Sequence, residues 1–320
     1  MKKVLVIGSG GREHSICIYL SKSETVQQIY VLPGNAGTQM QNKCQNLNLS
    51  IIDFETISEW CLDNKIDLVV IGPEEPLIRG ISDKFELKGI RCFGPKSYPA
   101  QLEGSKIFGK IVMKECNIPT ADYSAFSDAE SALNFLKNAS DKMRVIKMDG
   151  VAAGKGVIVA KTFQEAEEAV IEMLDKEVLL PHLNCDLYAL MVACTDNDGL
   201  SKFNVEFHDN CYSLCVVLTS GGYPGSYEKG YPITGLDSNN EHVNFIHAGT
   251  ELVGNDRKVV TNGGRVLGVV AIHKELNFCF NLAMDVIRNI NFQGCYYRND
   301  IGYRVLKKYV VYLFKVDITH

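Results

Sequence analysis

Lys3-Val4-Leu5-Val6-Ile7-Gly8-Ser9-Gly10-Gly11-Arg12-Glu13-His14 is the stretch that decides the fold of the first third of the chain. A short β-branched run stops at a glycine turn, and an amphipathic segment from Arg12 to Ser21 follows it. Strand, glycine turn and helix in that order aim backbone N–H groups and a helix N-terminus at an anion. A second strand, Gln28 to Leu32, closes on Pro33-Gly34-Asn35-Ala36-Gly37-Thr38. A helix around Phe54 to Asn64 then leads to a third strand, Asp67 to Ile71, and the turn Gly72-Pro73-Glu74-Glu75-Pro76. Strands alternating with helices over short turns predict a doubly wound parallel sheet of Rossmann-like type.

A glycine turn after a first strand is a weak signal for a dinucleotide, and its companions are missing. The fingerprint wants a third small residue where this chain has Glu13, and an acid at the end of the second strand where it has Pro33 and Gly34. Both departures speak against a nicotinamide-dependent oxidoreductase. Arg12 and His14 add side chains suited to a phosphate, the alternatives being a turn that is merely tight and a solvated charge at a helix start.

At 320 residues the chain is long enough for two or three folded units. Its 46% apolar and 22% charged residues are those of an ordinary globular protein. A net charge of −5 argues against a nucleic-acid surface. No apolar run reaches the length of a membrane span, and the run after Lys2-Lys3 is too short for a signal-peptide core. Eleven cysteines occur as singles without a Cys-x-x-Cys pair, which reads as reduced thiols in the cytosol, with no metal held by cysteine.

In the middle, Val145-Ile146-Lys147-Met148 and Val157-Ile158-Val159-Ala160 are strand-like and enclose Asp149-Gly150-Val151-Ala152-Ala153-Gly154-Lys155-Gly156. Small residues let such a loop close over a polyanion, with Lys147 and Lys155 as point charges for phosphate oxygens. No Gly-Lys-Ser/Thr opens a helix here, so the loop is a β-hairpin lid and not a Walker loop; alone, it would be an ordinary hairpin with two exposed lysines.

It does not stand alone. Gln101-Leu102-Glu103-Gly104-Ser105-Lys106 and Ile118-Pro119-Thr120-Ala121 precede it. Gly221-Gly222-Tyr223-Pro224-Gly225, His247-Ala248-Gly249-Thr250, Asn262-Gly263-Gly264-Arg265-Val266-Leu267 and Tyr296-Tyr297-Arg298-Asn299-Asp300-Ile301-Gly302 follow. Together with the three N-terminal turns, in this order and spacing, they resemble the phosphoribosylamine–glycine ligase family over about residues 1–306.

The resemblance implies an α/β protein: a Rossmann-like N-terminal domain at 1–103, part of an ATP-grasp lid at 104–178, a remnant of the second ATP-grasp lobe at 179–210, and a C-terminal α+β domain at 211–306. A tail at 307–320 has no family counterpart. It implies a cytosolic ligase of purine synthesis that joins glycine to 5-phosphoribosylamine. ATP phosphorylates the glycine carboxylate, and the amine attacks the acyl phosphate. Carried over by position, Lys106 and Lys147 would contact ATP phosphates under the loop carrying Gly150, Gly154, Lys155 and Gly156. Gly8, Gly10, Gly11 and Arg12, with Asn35, Gly37 and Glu74, would line the phosphoribosylamine side. Arg265 is a candidate catalytic residue holding an anionic group or the acyl phosphate, or else a strand arginine that snorkels to solvent. Because the family often forms the first module of a longer purine-synthesis polypeptide, fusion to or association with other enzymes of that route is implied.

One block departs from the family. ATP chemistry needs Mg2+ on hard oxygen ligands, and the family's Arg-Phe-Gly-Asp-Pro-Glu-like segment that supplies them is missing. The chain runs from Asp175-Lys176-Glu177-Val178 straight into Leu179-Leu180-Pro181-His182. Asp196, Asp198, Glu206 and Asp209 lie nearby but read as a polar loop. Splicing, a gene-assembly error or decay would each produce the gap. The alternative to an active ligase is therefore an impaired form that binds only ribose phosphate or pairs with the intact enzyme.

Overall fold

The computed structural model describes residues 1–120, 123–125, 145–147, 157–159, 180–208, 211–237 and 240–301. In chain order the N-terminal elements are β1 (Lys2–Gly8), α1 (Gly11–Lys22), β2 (Val26–Pro33), α2 (Ala36–Met40), β3 (Cys44–Asn46), α3 (Phe54–Asp63), β4 (Leu68–Ile71), α4 (Glu74–Ile78), α5 (Ile81–Leu87) and β5 (Cys92–Phe93). The five strands form one parallel sheet in the order β3-β2-β1-β4-β5. The expected third strand is thus the fourth, because the short edge strand β3 carries no apolar run to announce it. The chain reverses direction across the sheet between β1 and β4, which places a crevice beyond the carboxyl ends of those strands.

Both faces of the sheet are buried, so its strands read as continuous apolar runs instead of alternating ones. Val4 and Val6 point to a layer with Ile16, Cys17 and Leu20 of α1, whereas Leu5 and Ile7 point to the opposite layer with Ile57, Ile81 and Phe85. Spacing of four residues between Ile16 and Leu20 gives α1 its apolar stripe.

After α6 (Ser97–Gly104) and α7 (Lys106–Glu115), β6 (Val145–Lys147) and β7 (Val157–Val159) pair antiparallel, with Lys147 opposite Val157. The predicted hairpin strands are therefore present. Gly150, Gly154, Lys155 and Gly156, the expected loop over ATP, lie outside the described residues.

Helix α8 (Leu187–Thr195) does not extend away from the N-terminal sheet. Its Leu187, Tyr188 and Met191 join the layer of Val4, Val6 and Leu68, and Arg91 ties to Asp196 at 2.7 Å and to Thr195 at 3.0 Å. The helix thus covers one face of the first domain.

The C-terminal unit has β8 (Tyr212–Thr219), β9 (Val243–His247), β10 (Thr250–Val253), β11 (Lys258–Thr261), β12 (Arg265–His273) and α9 (Leu276–Ile287). β8, β12 and β9 form an antiparallel sheet in that order, and β10 and β11 form a separate antiparallel ribbon. Cys279, Ala283 and Ile287 of α9 pack on Val216, Leu218, Leu267 and Val269.

No helix among the described residues is long and apolar enough to cross a membrane. All eleven cysteines are free thiols, and burial pushes Cys61 up to about 12 and Cys92 up to about 11. Thiols held protonated in this way are poor nucleophiles.

Candidate functional site

The glycine turn after β1 is organised around Glu13, the residue that breaks the dinucleotide fingerprint. Glu13 is buried, and its Oε2 accepts a hydrogen bond from the Gly10 N–H at 2.6 Å. Gly8 has φ 131°, and a Cβ there would lie 2.5 Å from the Glu13 Cδ; a side chain at Gly72 would collide with the same carboxylate. The two glycines thus seat a carboxylate where a dinucleotide site seats pyrophosphate. Burial raises the Glu13 carboxyl above its ordinary range, while the Gly10 hydrogen bond and Arg12 act the other way.

Arg12 spans the crevice at the reversal point. Its guanidinium donates to the Gly72 carbonyl and lies 3.9 Å from the Glu74 carboxylate. Arg12, Gly8, Gly10, Gly11 and Glu74 are therefore gathered at the carboxyl ends of β1 and β4.

Asn35 is committed on every side. Its Oδ1 accepts from Thr38 N–H at 3.0 Å, and Thr38 Oγ1 accepts from Asn35 N–H at 2.8 Å, which together cap α2. Its Nδ2 donates to the carbonyls of Ser9 and His247, each at 2.8 Å. One side chain therefore ties the ends of β1, α2 and β9. Gly37 lets these elements close: a Cβ there would meet His14 Cε1 at 2.5 Å and His247 Cβ at 2.6 Å.

His14 faces the C-terminal domain and not a solvent-facing phosphate. It is buried, its Nδ1 accepts the His247 N–H at 2.9 Å, and the two rings meet edge to face at 5.4 Å. His247 Nδ1 in turn lies 3.0 Å from Thr250 Oγ1. Burial, reinforced by His247, depresses His14 to about 3, and burial depresses His247 to about 4. Both rings are neutral at physiological pH.

Between the domains lies a cleft of about 480 Å³, lined by Ser9, residues 33–36, Gln39 and Asn46 on one side and residues 248–252 and Asn262 on the other. Ser9, Thr250 and Asn262 belong to motifs legible in the sequence, whereas Gln39, Asn46 and Glu251 belong to none. Only the meeting of two domains brings these together. Arg265 opens β12, and its carbonyl accepts from Gly249 N–H at 2.8 Å. Its half-buried guanidinium makes no hydrogen bond or ion pair among the described residues. Lys106 is the first residue of α7, which Ser105 caps by accepting from Phe108 N–H at 3.0 Å.

The acids near residues 180–208 do not fit a magnesium site. Asp196 is paired with Arg91, Glu206 accepts from Asn204 Nδ2 at 2.6 Å, and Asp198 is exposed on a loop; Asp209 lies outside the described residues. Among the described residues no three His, Cys, Asp or Glu side chains gather as a metal cradle.

The fold joins a doubly wound domain, a pair of antiparallel strands and an antiparallel C-terminal domain, and the match of residues 104–179 to an ATP-grasp domain puts the chain in the ATP-grasp class of ligases. Its fold is shared with phosphoribosylamine–glycine ligase from Thermotoga maritima, at TM-score 0.64 and 22% identity over 94% of this chain and 100% of that one. A biotin carboxylase domain from Hydrogenobacter thermophilus, solved with MgADP, follows at TM-score 0.60 and 14% identity over 93% of this chain and 92% of that one. The families described as phosphoribosylglycinamide synthetase N domain, ATP-grasp (A) domain and C domain match residues 2–103, 104–179 and 213–304. Phosphoribosylamine–glycine ligase of Pseudomonas syringae pv. tomato is 32% identical, over 95% of this chain and 98% of its own. The chain belongs to the phosphoribosylamine–glycine ligase family. The trifunctional purine biosynthetic protein adenosine-3 of Gallus gallus is 33% identical over 95% of this chain, which spans 42% of that protein.

The alignment with the Pseudomonas enzyme has 426 positions, whereas 95% of 320 residues fills about 304 of them. The relative therefore carries about 120 positions that this chain lacks.

Proposed function

We propose that the chain carries out ATP-dependent ligation of glycine to 5-phosphoribosylamine, giving glycinamide ribonucleotide. One observation carries this reading: the N-terminal turns and the 247–250 segment of a chain in this ligase family converge on a single interdomain cleft. Gly8, Gly10, Gly11, Arg12 and Glu74 would bound the phosphoribosylamine side, with Asn35 and Gly37 holding the cleft's two walls together. Arg265, whose guanidinium is uncommitted, would hold an anionic group of the reactants.

The strand pairing of Lys147 with Val157 suits a lid over a nucleotide, and Lys106 at the start of α7 suits a second phosphate contact. ATP, when bound, supplies the phosphoryl group that makes the glycine carboxylate reactive. The free thiols suit a reducing cytosol. The animal relatives are named as trifunctional, so association with further purine-synthesis enzymes belongs to the same reading.

A second reading rests on the roughly 120 absent positions and on the acids near 180–208, which form no cluster among the described residues: a form that binds ribose phosphate, or the intact enzyme, without turnover. Purified chain incubated with glycine, ATP, magnesium and phosphoribosylamine separates the two. Glycinamide ribonucleotide above a blank supports the ligase. Its absence, with retained ribose 5-phosphate binding, supports the second reading.

A further inference from the structure

Helix α1 and the short edge strand β3 are tied together along one side of the N-terminal sheet. Gln41 Nε2 donates to Ser21 Oγ at 2.9 Å, and Lys43 Nζ donates to the Ser23 carbonyl at 2.8 Å. Cys17 lies one turn before Ser21 on the same face of α1. Cys44 opens β3, directly after Lys43, and stands opposite Ile29 of β2. Cys17, Ile29 and Cys44 pack in one layer. Among the described residues no three metal-ligating side chains gather there, so the two thiols are not part of a metal cradle.

The two thiols differ in access. Cys17 is 0% exposed, whereas Cys44 is half-buried. Contact with the Cys44 thiol, followed by burial, pushes the Cys17 thiol well above its ordinary range. A thiol held protonated is a slow nucleophile, so joining this pair takes sustained oxidant and not a brief pulse.

We propose that Cys17 and Cys44 form a reversible disulfide under peroxide, a redox staple between α1 and β3. Hydrogen peroxide first converts the Cys44 thiol to a sulfenic acid and releases one water. The Cys17 sulfur then attacks the Cys44 sulfur. The S–S bond forms, the S–O bond breaks, and the hydroxyl leaves with the Cys17 proton as a second water. The pair loses two electrons, and one peroxide is reduced to two waters. Dithiols reverse the bond by exchange. Transient disulfides of this kind are the ones found in reducing compartments.

The consequence reaches the cleft between the domains. β3 ends at Asn46, whose Oδ1 accepts from Thr38 Oγ1 at 2.7 Å and whose Nδ2 donates to the Asn35 carbonyl at 2.9 Å. Asn35 and Asn46 both line the cleft. A bond two residues before Asn46 therefore fixes that wall to α1.

The test is peptide mapping of the full chain before and after hydrogen peroxide, with remaining thiols alkylated under denaturing conditions. The peptide bearing Cys17 should appear joined to the one bearing Cys44, lighter than their sum by two hydrogens, and be freed by dithiothreitol. Closing the loop restricts the unfolded chain, so the oxidised form should have a higher urea midpoint than the reduced form. Cys44→Ser should abolish both the linked peptide and the midpoint shift. Cys17 still open to alkylation after peroxide, whatever becomes of Cys44, overturns the proposal. So does a bond from Cys17 to Cys185, which packs on the same layer.

Discussion

At the scale of single residues, the glycines of this protein are explained by the polar side chains they admit. Gly8 and Gly72 make room for Glu13, and Gly37 makes room for His14 and His247. Gly37→Ala should cost about 1–3 kcal/mol, the range for overpacking a filled site, measured as a shift in urea midpoint without a change in slope. Asn35→Ala removes a helix cap and two hydrogen bonds to carbonyls, so a loss of about 2–3 kcal/mol is expected. Asn35→Asp is the sharper probe. It keeps the cap but sets a carboxylate against the Ser9 and His247 carbonyls, and should destabilise at least as much; an unperturbed midpoint would refute the interdomain clip.

The buried histidines set a pH dependence whose sign follows from their burial. Each titrates near 6.5 when unfolded and at about 3 (His14) or 4 (His247) when folded, so the unfolded chain binds more protons between those values. Stability conferred by the neutral rings is fully present above pH 6.5 and declines as the pH falls towards 4. Urea midpoints measured from pH 7.5 to pH 4.5 should fall steadily below 6.5, and His247→Gln should flatten that slope.

At the scale of elements, the run from Leu180 to Thr195 is decisive. Its apolar residues carry no periodic marker of destination, and sequence likeness alone assigns them to a lobe that is largely missing. Packing places Leu187, Tyr188 and Met191 against Val4, Val6 and Leu68. Met191, 4% exposed, should cost about 2–5 kcal/mol on replacement by alanine and should loosen amide protection in β1 and β4 as well as in α8. Protection lost only within α8 would show that the sheet does not depend on its cover.

At the scale of the whole molecule, the N- and C-terminal domains meet through His14, Asn35, Gly37, His247 and Thr250, and the cleft between them exists only while they meet. Trp60, the single tryptophan, sits in the N-terminal domain against Tyr30, so its fluorescence reports that domain alone. Tryptophan fluorescence and far-UV circular dichroism should therefore give coincident unfolding curves if the two domains unfold together. In Asn35→Ala the curves should separate.

The parallel sheet and the antiparallel pairing of Val145–Lys147 with Val157–Val159 were legible because they rest on local patterns. An apolar run ending in glycine turns reads as a buried strand, and small residues between two β-prone runs read as a hairpin. The family was legible for a similar reason, since its turns keep their residues in fixed order. What tertiary structure alone decided is the use of those residues. His14 looked suited to a phosphate until β9 was found covering it, and Asn35 proved to be a clip between domains. Glu251 had no local signature, because a carboxylate on a short ribbon comes to line a cleft only when residues more than two hundred positions earlier in the chain supply the opposite wall. Short-range sequence encodes backbone conformation, but the partners of a polar side chain are set by long-range packing, and there the functional reading of this protein lies.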